Sequence, residues 1–246
     1  MTKSSGLSQQ FFVRGYDLSG DVGAINSAGS PRGILEVTAI NKAGKERVCG
    51  LTDGQLEFAT WFDDAALMEH VALKSLPTGS GNVLWALGGS IGSVAALLYA
   101  KQINYDWVAG QDRSLAGRIM CQADGTPLEW GNLLTPGKVT HTGATNGASR
   151  DDAASSAYGI VGAIHCTAFT GTNITVVIQE SSNNGATDPW ATKLAFAQIA
   201  AAQSAERKTA TGTVERYVRV SSSGTFTTAD IVVAYRRGTL QDEVAL

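Results

Sequence analysis

The chain has 246 residues, of which 43% are hydrophobic and 17% charged, and its formal net charge at pH 7 is −3. This composition is sufficient to bury a core and excludes a globally disordered protein. The charge balance lacks the strong basic excess that accompanies nucleic-acid or membrane-surface binding. The 28 glycines, with many alanine, serine and threonine residues, predict a turn-rich and mainly β protein.

The cysteines and the N-terminal sequence indicate where the protein is made. Cys49, Cys121 and Cys166 are far apart and form no CxxC pair, which predicts reduced structural thiols rather than a disulfide framework or a zinc site. Residues 1–10 contain no apolar segment typical of a signal peptide. The longest apolar run, 94–100, is too short to span a bilayer of about 30 Å. We therefore expect synthesis in a cytoplasm and no membrane insertion.

The first fifty residues predict an arm, a loop and a hairpin. Residues 1–10 are polar and predict an N-terminal arm. Residues 16–33 are rich in glycine and serine and predict a long loop with one short strand. Residues 35–40 are rich in β-forming side chains and predict a strand, and the charged residues 41–47 predict a hairpin tip before a returning strand at 48–49.

The stretch 48–64 combines a turn, a strand and a helix start. The Thr-Asp-Gly sequence at 52–54 predicts a tight turn, because aspartate can bond its own backbone and glycine tolerates positive φ. Two aspartates at 63 and 64 precede helix-forming residues, which predicts a capped helix over 64–76.

The strand between the turn and the helix has a period of two. Gln55 and Glu57 lie on one face, and Leu56 and Phe58 lie on the other. Such an alternation predicts a half-buried strand.

Further strands and a break divide the rest of the chain. In the first half, strands are predicted over residues 83–87, 94–102, 103–108, 115–123 and 130–134. Residues 138–152 are rich in glycine, threonine, serine and asparagine and predict a linker. The last third predicts a second β unit, with short strands over residues 160–169, 174–180, 190–196, 216–221 and 230–236. We thus expect a domain over 1–137, the linker, and a domain over 153–246.

One sequence matches a catalytic pattern. Gly-Gly-Ser-Ile-Gly at 88–92 matches the G-x-S-x-G nucleophile elbow, with Ser90 as the nucleophile. That motif needs a strand before it, a helix after it, and a later acid and histidine, within repeated βα units. Because a single helix is predicted, we interpret this sequence as a glycine-rich hairpin loop, and we expect no enzyme activity.

No metal or cofactor is expected either. His70, His141 and His165 are scattered, without the spacing of metal ligands, and the chain has no P-loop or dinucleotide-binding sequence. An arm, a long loop and a charged hairpin are costly to order alone. This combination favours a protein that assembles with partners.

Four features between residues 10 and 135 occur in a distinctive order. They are Asp-Leu-Ser-Gly-Asp-Val at 17–22, the strand at 35–40, the charged hairpin, and Gly-Leu-Thr-Asp-Gly-Gln-Leu-Glu-Phe at 50–58 running into Trp-Phe-Asp at 61–63. Together they resemble the major tail tube proteins of long-tailed bacteriophages.

The resemblance implies a fold and an assembly. The implied fold is mainly β: a tail-tube β-sandwich or half-barrel with one flanking α-helix over 1–137, followed by an Ig-like or jelly-roll-like β-sandwich over 153–246 that decorates the tube. Six copies of such a virion protein form a ring, and rings stack into a tube that conducts DNA during ejection. The implied partners are further copies of the chain and the tape measure, tail terminator and distal tail proteins, while DNA passes without specific binding.

The resemblance also suggests roles for two groups of residues. A DNA channel should not grip phosphate, so polar or acidic side chains are candidates for the lumen: Glu36, Gln55 and Glu57. The basic residues of the hairpin tip are candidates for contacts between rings: Lys42, Lys45 and Arg47. The alternative is that all of these side chains face solvent in a monomer.

Two other functions stay open. A β-sandwich carrying Trp190 beside the polar loop 181–189 could bind carbohydrate or a host surface by ring stacking. A serine hydrolase at Ser90 is the remote alternative.

Overall fold

The computed structural model describes residues 7–239, and the first six residues of the predicted arm lie outside this range. The mainly β fold class is confirmed, because the regular structure of the described residues consists of strands and one short helix.

The elements of the first half are β1 (Gln10–Val13), β2 (Tyr16–Asp17), β3 (Val22–Gly29), β4 (Arg32–Glu36), β5 (Arg47–Thr52), β6 (Gln55–Trp61), α1 (Glu69–Leu73), β7 (Gly81–Ala86), β8 (Val94–Gln102), β9 (Asp106–Ala109), β10 (Leu115–Ala123) and β11 (Glu129–Leu133). Those of the second half are β12 (Val139–His141), β13 (Thr145–Asn146), β14 (Arg150–Asp151), β15 (Ile160–Ser181), β16 (Ala191–Ala195), β17 (Ser204–Ala210) and β18 (Tyr217–Arg237).

Sixteen of these strands join into one sheet. Its central path runs β16-β15-β18-β11-β8-β10-β6-β3, and β7 pairs with β8 and with β1. In the described part of the chain, β4 and β5 pair only with each other and form a separate two-stranded sheet.

The core of the first half is formed mainly by buried residues of β1, β6, β7, β8 and β10. Leu56 and Phe58 on β6 are fully buried in it, whereas Gln55 and Glu57 are half-buried on the opposite face. The ring of Phe11 on β1 packs 4.6 Å from that of Phe58, measured between centroids. The predicted alternation over β6 is therefore confirmed.

The two longest strands, β15 and β18, pair with each other along nearly their whole lengths. We call their paired residues 160–168 and 229–237 the shared wall, because each face of it packs into a different core. Ile164 and Val233 belong to the core of the second half. Ala163 and Val232 pack on the other face with Phe12 of β1. Burial on both faces explains why these segments are nearly continuous apolar runs.

The prediction of separate short strands in the second half is wrong for these two elements. Residues 160–169 and 174–180 belong to one strand, and so do residues 217–221 and 230–236. The polar residues between them resemble turn sequences, but they continue the pairing through register shifts. Gly171 allows this, since a Cβ there would lie 2.4 Å from the Cα atom of Phe226.

The second half also contains a strand that the sequence did not predict. β17 is rich in polar residues and pairs with residues 160–166 of β15. The segment 138–152, predicted as a linker, carries β12, β13 and β14, each of which pairs with β18. The division of the chain into two domains stays a prediction.

The predicted helix over 64–76 is shorter than expected. α1 covers Glu69–Leu73, and it is not capped by the aspartates that precede it. Asp63 instead accepts a hydrogen bond from the backbone of Ala65, and Leu67 has a positive φ of 71° that interrupts helical geometry. The first N–H group of the helix, that of Glu69, donates to Oδ2 of the distant Asp21 at 3.0 Å.

Gly54 is required for a different reason from the one predicted. It is not among the described glycines with positive φ. A Cβ at this position would lie 2.4 Å from the backbone nitrogen of Leu128. The close approach of another segment, rather than turn geometry, therefore excludes a side chain here.

We expect Gly54→Ala to lower the free energy of unfolding by about 1–3 kcal/mol, the usual cost of overpacking. Urea denaturation measures this change. Gly44→Ala is the matched control, because a Cβ there meets nothing within 4 Å and should change stability by less than about 0.5 kcal/mol. Equal stability of the two variants would contradict the steric explanation.

Candidate functional site

The hairpin of β4 and β5 exposes an unusual amount of apolar surface. We call residues 31–52 the apolar hairpin. Its exposed large hydrophobic residues are Ile34, Leu35, Val37, Ile40, Val48 and Leu51. The side chain of Ile40 is fully exposed and that of Leu51 is 92% exposed. A two-stranded hairpin is marginally stable in water by itself, and clustered exposed apolar side chains indicate an interaction surface.

The basic residues predicted at the hairpin tip all lie on this hairpin and are exposed. Nζ of Lys42 is 2.9 Å from a carboxylate oxygen of Glu46. Nζ of Lys45 is 2.7 Å from a carboxylate oxygen of Glu36. Arg47 is the register partner of Glu36 across the two strands. The lysines are thus engaged within the hairpin, and their role in contacts between rings stays a prediction.

The structure brings together two of the three residues predicted to line a lumen. Gln55 and Glu57 lie on the half-buried face of β6, between β3 and β10. Nδ2 of Asn26 donates to the Glu57 carboxylate at 3.4 Å. Glu36 lies on the apolar hairpin, in a different sheet. That these side chains face a lumen stays a prediction.

A second exposed apolar surface, which the sequence reasoning missed, lies where β6, β9 and β10 end. We call Trp61, Phe62, Val108 and Leu115 the end patch; all four are exposed. They are neighbours because Phe62 N–H donates to the Leu115 carbonyl at 3.3 Å, and because Ala116 pairs with both Trp61 and Val108. The sequence does contain a signal for the end patch: Trp61 and Phe62 are consecutive aromatic residues at the end of the alternating pattern of β6.

A carboxyl group is buried close to the end patch. The side chain of Glu69 is fully buried, and within residues 7–239 neither of its oxygens has a partner in hydrogen-bond geometry. The hydroxyl of Thr60 and the indole nitrogen of Trp107 are likewise buried, and neither has a hydrogen-bond partner in the described part of the chain. Tyr105 and His70 are joined at 2.7 Å, between the phenol oxygen and Nδ1.

Burial shifts the pKa values of three acidic groups in this region. It raises the pKa of Glu69 to about 7, and the nearby charge of Asp21 acts in the same direction. The pKa of Asp21 is itself raised, mainly by burial. Burial and the Glu69 charge raise the pKa of Tyr105 to about 12. The carboxyl of Glu69 is therefore an internal group that changes charge near neutral pH.

Ser90 lies in a hairpin loop. The loop at 88–92 connects β7 to β8, so a strand follows Ser90 where a nucleophile elbow needs a helix. Of the later histidines, Nδ1 of His141 is 2.8 Å from the Ser222 hydroxyl, and Nδ1 of His165 accepts from the Gly15 N–H at 3.1 Å. Within the described residues, neither imidazole is bonded to Ser90.

The other candidate chemical groups are occupied or inert. Burial raises the pKa of Cys121 to about 12 and that of Cys166 to about 11, so neither thiol supplies a thiolate near neutral pH. The guanidinium of Arg219 lies 4.3 Å from the centroid of the Trp190 ring. It covers one of the two faces that a sugar could stack against.

Residues 7–239 contain no group of three or more histidine, cysteine, aspartate or glutamate side chains placed to hold a metal ion. In the same range, no helix has the length and apolar character needed to cross a membrane.

Comparisons with known proteins found no matching family and only distant structural similarity. No family model matches the chain, and no curated protein matches it significantly. Among solved structures, it is similar to the Dit (gp 19.1) protein of phage SPP1, with 10% identity and a TM-score of 0.35 over 93% of this chain and 99% of that one. It is also similar to chains of the phage p2 baseplate in its activated conformation, with Sr and with Ca, at 9% identity and a TM-score of 0.35. These alignments cover 94% of this chain and 98% and 99% of those chains. TM-scores this low assign neither a fold nor a function to the chain.

The raised pKa of Glu69 predicts how stability depends on pH. The carboxyl of Glu69 has a pKa of about 7 in the folded protein and an ordinary value of 4.5 in the unfolded chain. Its contribution to the free energy of unfolding is therefore complete below the unfolded pKa and is lost as the pH rises through the folded pKa. We expect the free energy of unfolding to fall between about pH 4 and about pH 8, by roughly 1.4 kcal/mol for each pH unit that separates the folded and unfolded pKa values. Glu69→Gln should remove most of this fall.

Urea denaturation at both pH values measures the effect. Asp64→Asn is the matched control, because it removes an exposed carboxyl from the same segment and should leave the pH dependence intact. A Glu69→Gln protein with the pH dependence of the wild type would contradict the assignment.

Proposed function

We propose that the chain is a structural protein of a bacteriophage tail and that it self-associates through the apolar hairpin. In this proposal six copies form a ring, rings stack into the tail tube, and the tube conducts DNA during ejection. The resemblance of residues 10–135 to tail tube proteins supports the proposal. The exposed apolar surface of the hairpin is the observation that carries it.

The hairpin needs a partner for energetic reasons. Burial of one large apolar side chain contributes about 1.5–3 kcal/mol. Six exposed side chains on one hairpin can therefore supply an energy of the same order as the cost of association, roughly 4–15 kcal/mol. A surface of this kind in contact with water alone would favour aggregation rather than a soluble monomer.

The end patch of a second copy is the proposed docking surface. The apolar hairpin contains four basic and two acidic side chains, whereas Asp63 and Asp64 follow the aromatic residues of the end patch. Apolar surfaces with opposite charges beside them favour a defined contact. Because the hairpin and the end patch are different surfaces, the contact is heterologous and generates closed rings or open filaments.

The polar face of β6 supports a conduit. Gln55 and Glu57 present polar and acidic groups, and an acidic or neutral lining would let DNA pass without binding its phosphates. Tape measure, tail terminator and distal tail proteins are the proposed further partners. The protein would be made in the cytoplasm of the host bacterium and would function in the virion without catalysis.

Electron microscopy of the purified protein tests the proposal. We expect rings or tubes about one hexamer wide, formed at high protein concentration or in the presence of a nucleating tail tip. A strict monomer under these conditions that binds glycans would instead support the alternative, a carbohydrate- or host-surface-binding protein.

We expect the double variant Ile40→Ser and Leu51→Ser to weaken self-association by roughly a hundredfold or more, because two fully or largely exposed side chains lose their burial in the interface. Sedimentation velocity measures association. The thermal transition of the monomer should not change, because both side chains are exposed in the isolated chain.

Ile103→Ser is the control for this experiment. It removes an exposed apolar side chain that belongs neither to the apolar hairpin nor to the end patch, so it should leave association unchanged. Association as strong in the double variant as in the wild type would refute the role of the apolar hairpin.

A further inference from the structure

A recess of about 570 Å³ lies at the base of the apolar hairpin. Three arginines from different elements line it: Arg32 on β4, Arg207 on β17 and Arg236 on β18. The recess is therefore built by segments that are far apart in sequence, and no local pattern marks it.

One buried carboxylate organises two of these arginines. Glu129 on β11 is 3% exposed and lies in the wall of the recess. Its Oε2 accepts hydrogen bonds from Nε and Nη2 of Arg207, at 3.2 and 2.9 Å. Its Oε1 accepts from Nη1 of Arg236 at 3.1 Å. Such bonds hold both guanidinium groups in fixed orientations.

Among the described residues that line the recess, positive charge exceeds negative charge. Three of them are arginines and one is a glutamate, and the guanidinium group is well suited to recognise anions. Within the described residues, the Arg32 side chain makes no hydrogen bond or ion pair of its own. Partly enclosed positive charge of this kind attracts anions.

Two further groups suit a small ligand. Thr126 lies in the same lining. Its hydroxyl is buried and has no hydrogen-bond partner among the described residues, although buried polar atoms are normally bonded. The half-exposed ring of Trp130 forms an apolar side of the recess.

We propose that this recess binds a small oxyanion, such as a phosphate or sulfate group. Arg32 donates to the oxyanion in bidentate fashion, and Arg207 and Arg236, oriented by Glu129, supply the remaining charge. A guanidinium fork matches the geometry of an oxyanion in this way. The bound anion joins the base of the apolar hairpin to β17 and β18. This inference does not depend on the proposed assembly.

Titration of the full ¹⁵N-labelled chain with inorganic phosphate tests the proposal by NMR. We expect saturable shifts of the Arg207 Nε–H and Trp130 indole N–H signals. Arg32→Ala should raise the Kd at least about tenfold, since it removes a charge-assisted bidentate contact. Arg47→Ala is the matched control, because it removes an exposed arginine of the same hairpin that does not line the recess, and it should leave the Kd unchanged.

A neutral sugar is the control for ligand charge, and glucose should not shift either signal. The proposal is overturned by an absence of saturable shifts with phosphate, by an unchanged Kd in Arg32→Ala, or by equal binding of glucose.

Discussion

Burial of the shared wall on both faces is the constraint on which the rest of the structure depends. One face of residues 160–168 and 229–237 closes the core of the second half, and the other face packs against β1 and β7 of the first half. Each buried valine or isoleucine contributes about 1.5–3 kcal/mol, so neither half can lose the wall without exposing a core. The wall also places β17 and the end of β18 beside β11, which brings Arg207 and Arg236 to Glu129.

The apolar hairpin is the opposite case. Its apolar side chains have no core in the isolated chain, and its strands pair only with each other in the part of the chain that the structure describes. The end patch has the same character at another position on the sheet, close to the buried carboxyl of Glu69. The described residues thus combine buried internal cores with two exposed apolar surfaces, and the proposed association of copies would cover those surfaces.

Local patterns predicted some of these elements well. The strands β6, β8 and β10 were predicted with nearly their observed bounds, because alternation or a run of β-forming side chains is a property of consecutive residues. Prediction failed where a residue that is distant in the sequence determines the local structure. α1 begins at Glu69 because Asp21 accepts its first N–H bond. The two longest strands, β15 and β18, continue through polar residues because they stay paired with each other across the register shifts.

The sequence by itself determined the mainly β class, the face of β6 that is buried, and the presence of a hairpin with a basic tip, since each depends on neighbouring residues. The first strand of that hairpin was predicted at 35–40, whereas β4 is Arg32–Glu36. Tertiary structure alone decided the end patch, the unpartnered carboxyl of Glu69 and the arginine recess, because their members meet only when the sheet is formed. Gly54 shows the difference most simply. Its local sequence indicated a turn, but the backbone of Leu128, which packs against it in the folded chain, is what excludes a side chain at this position.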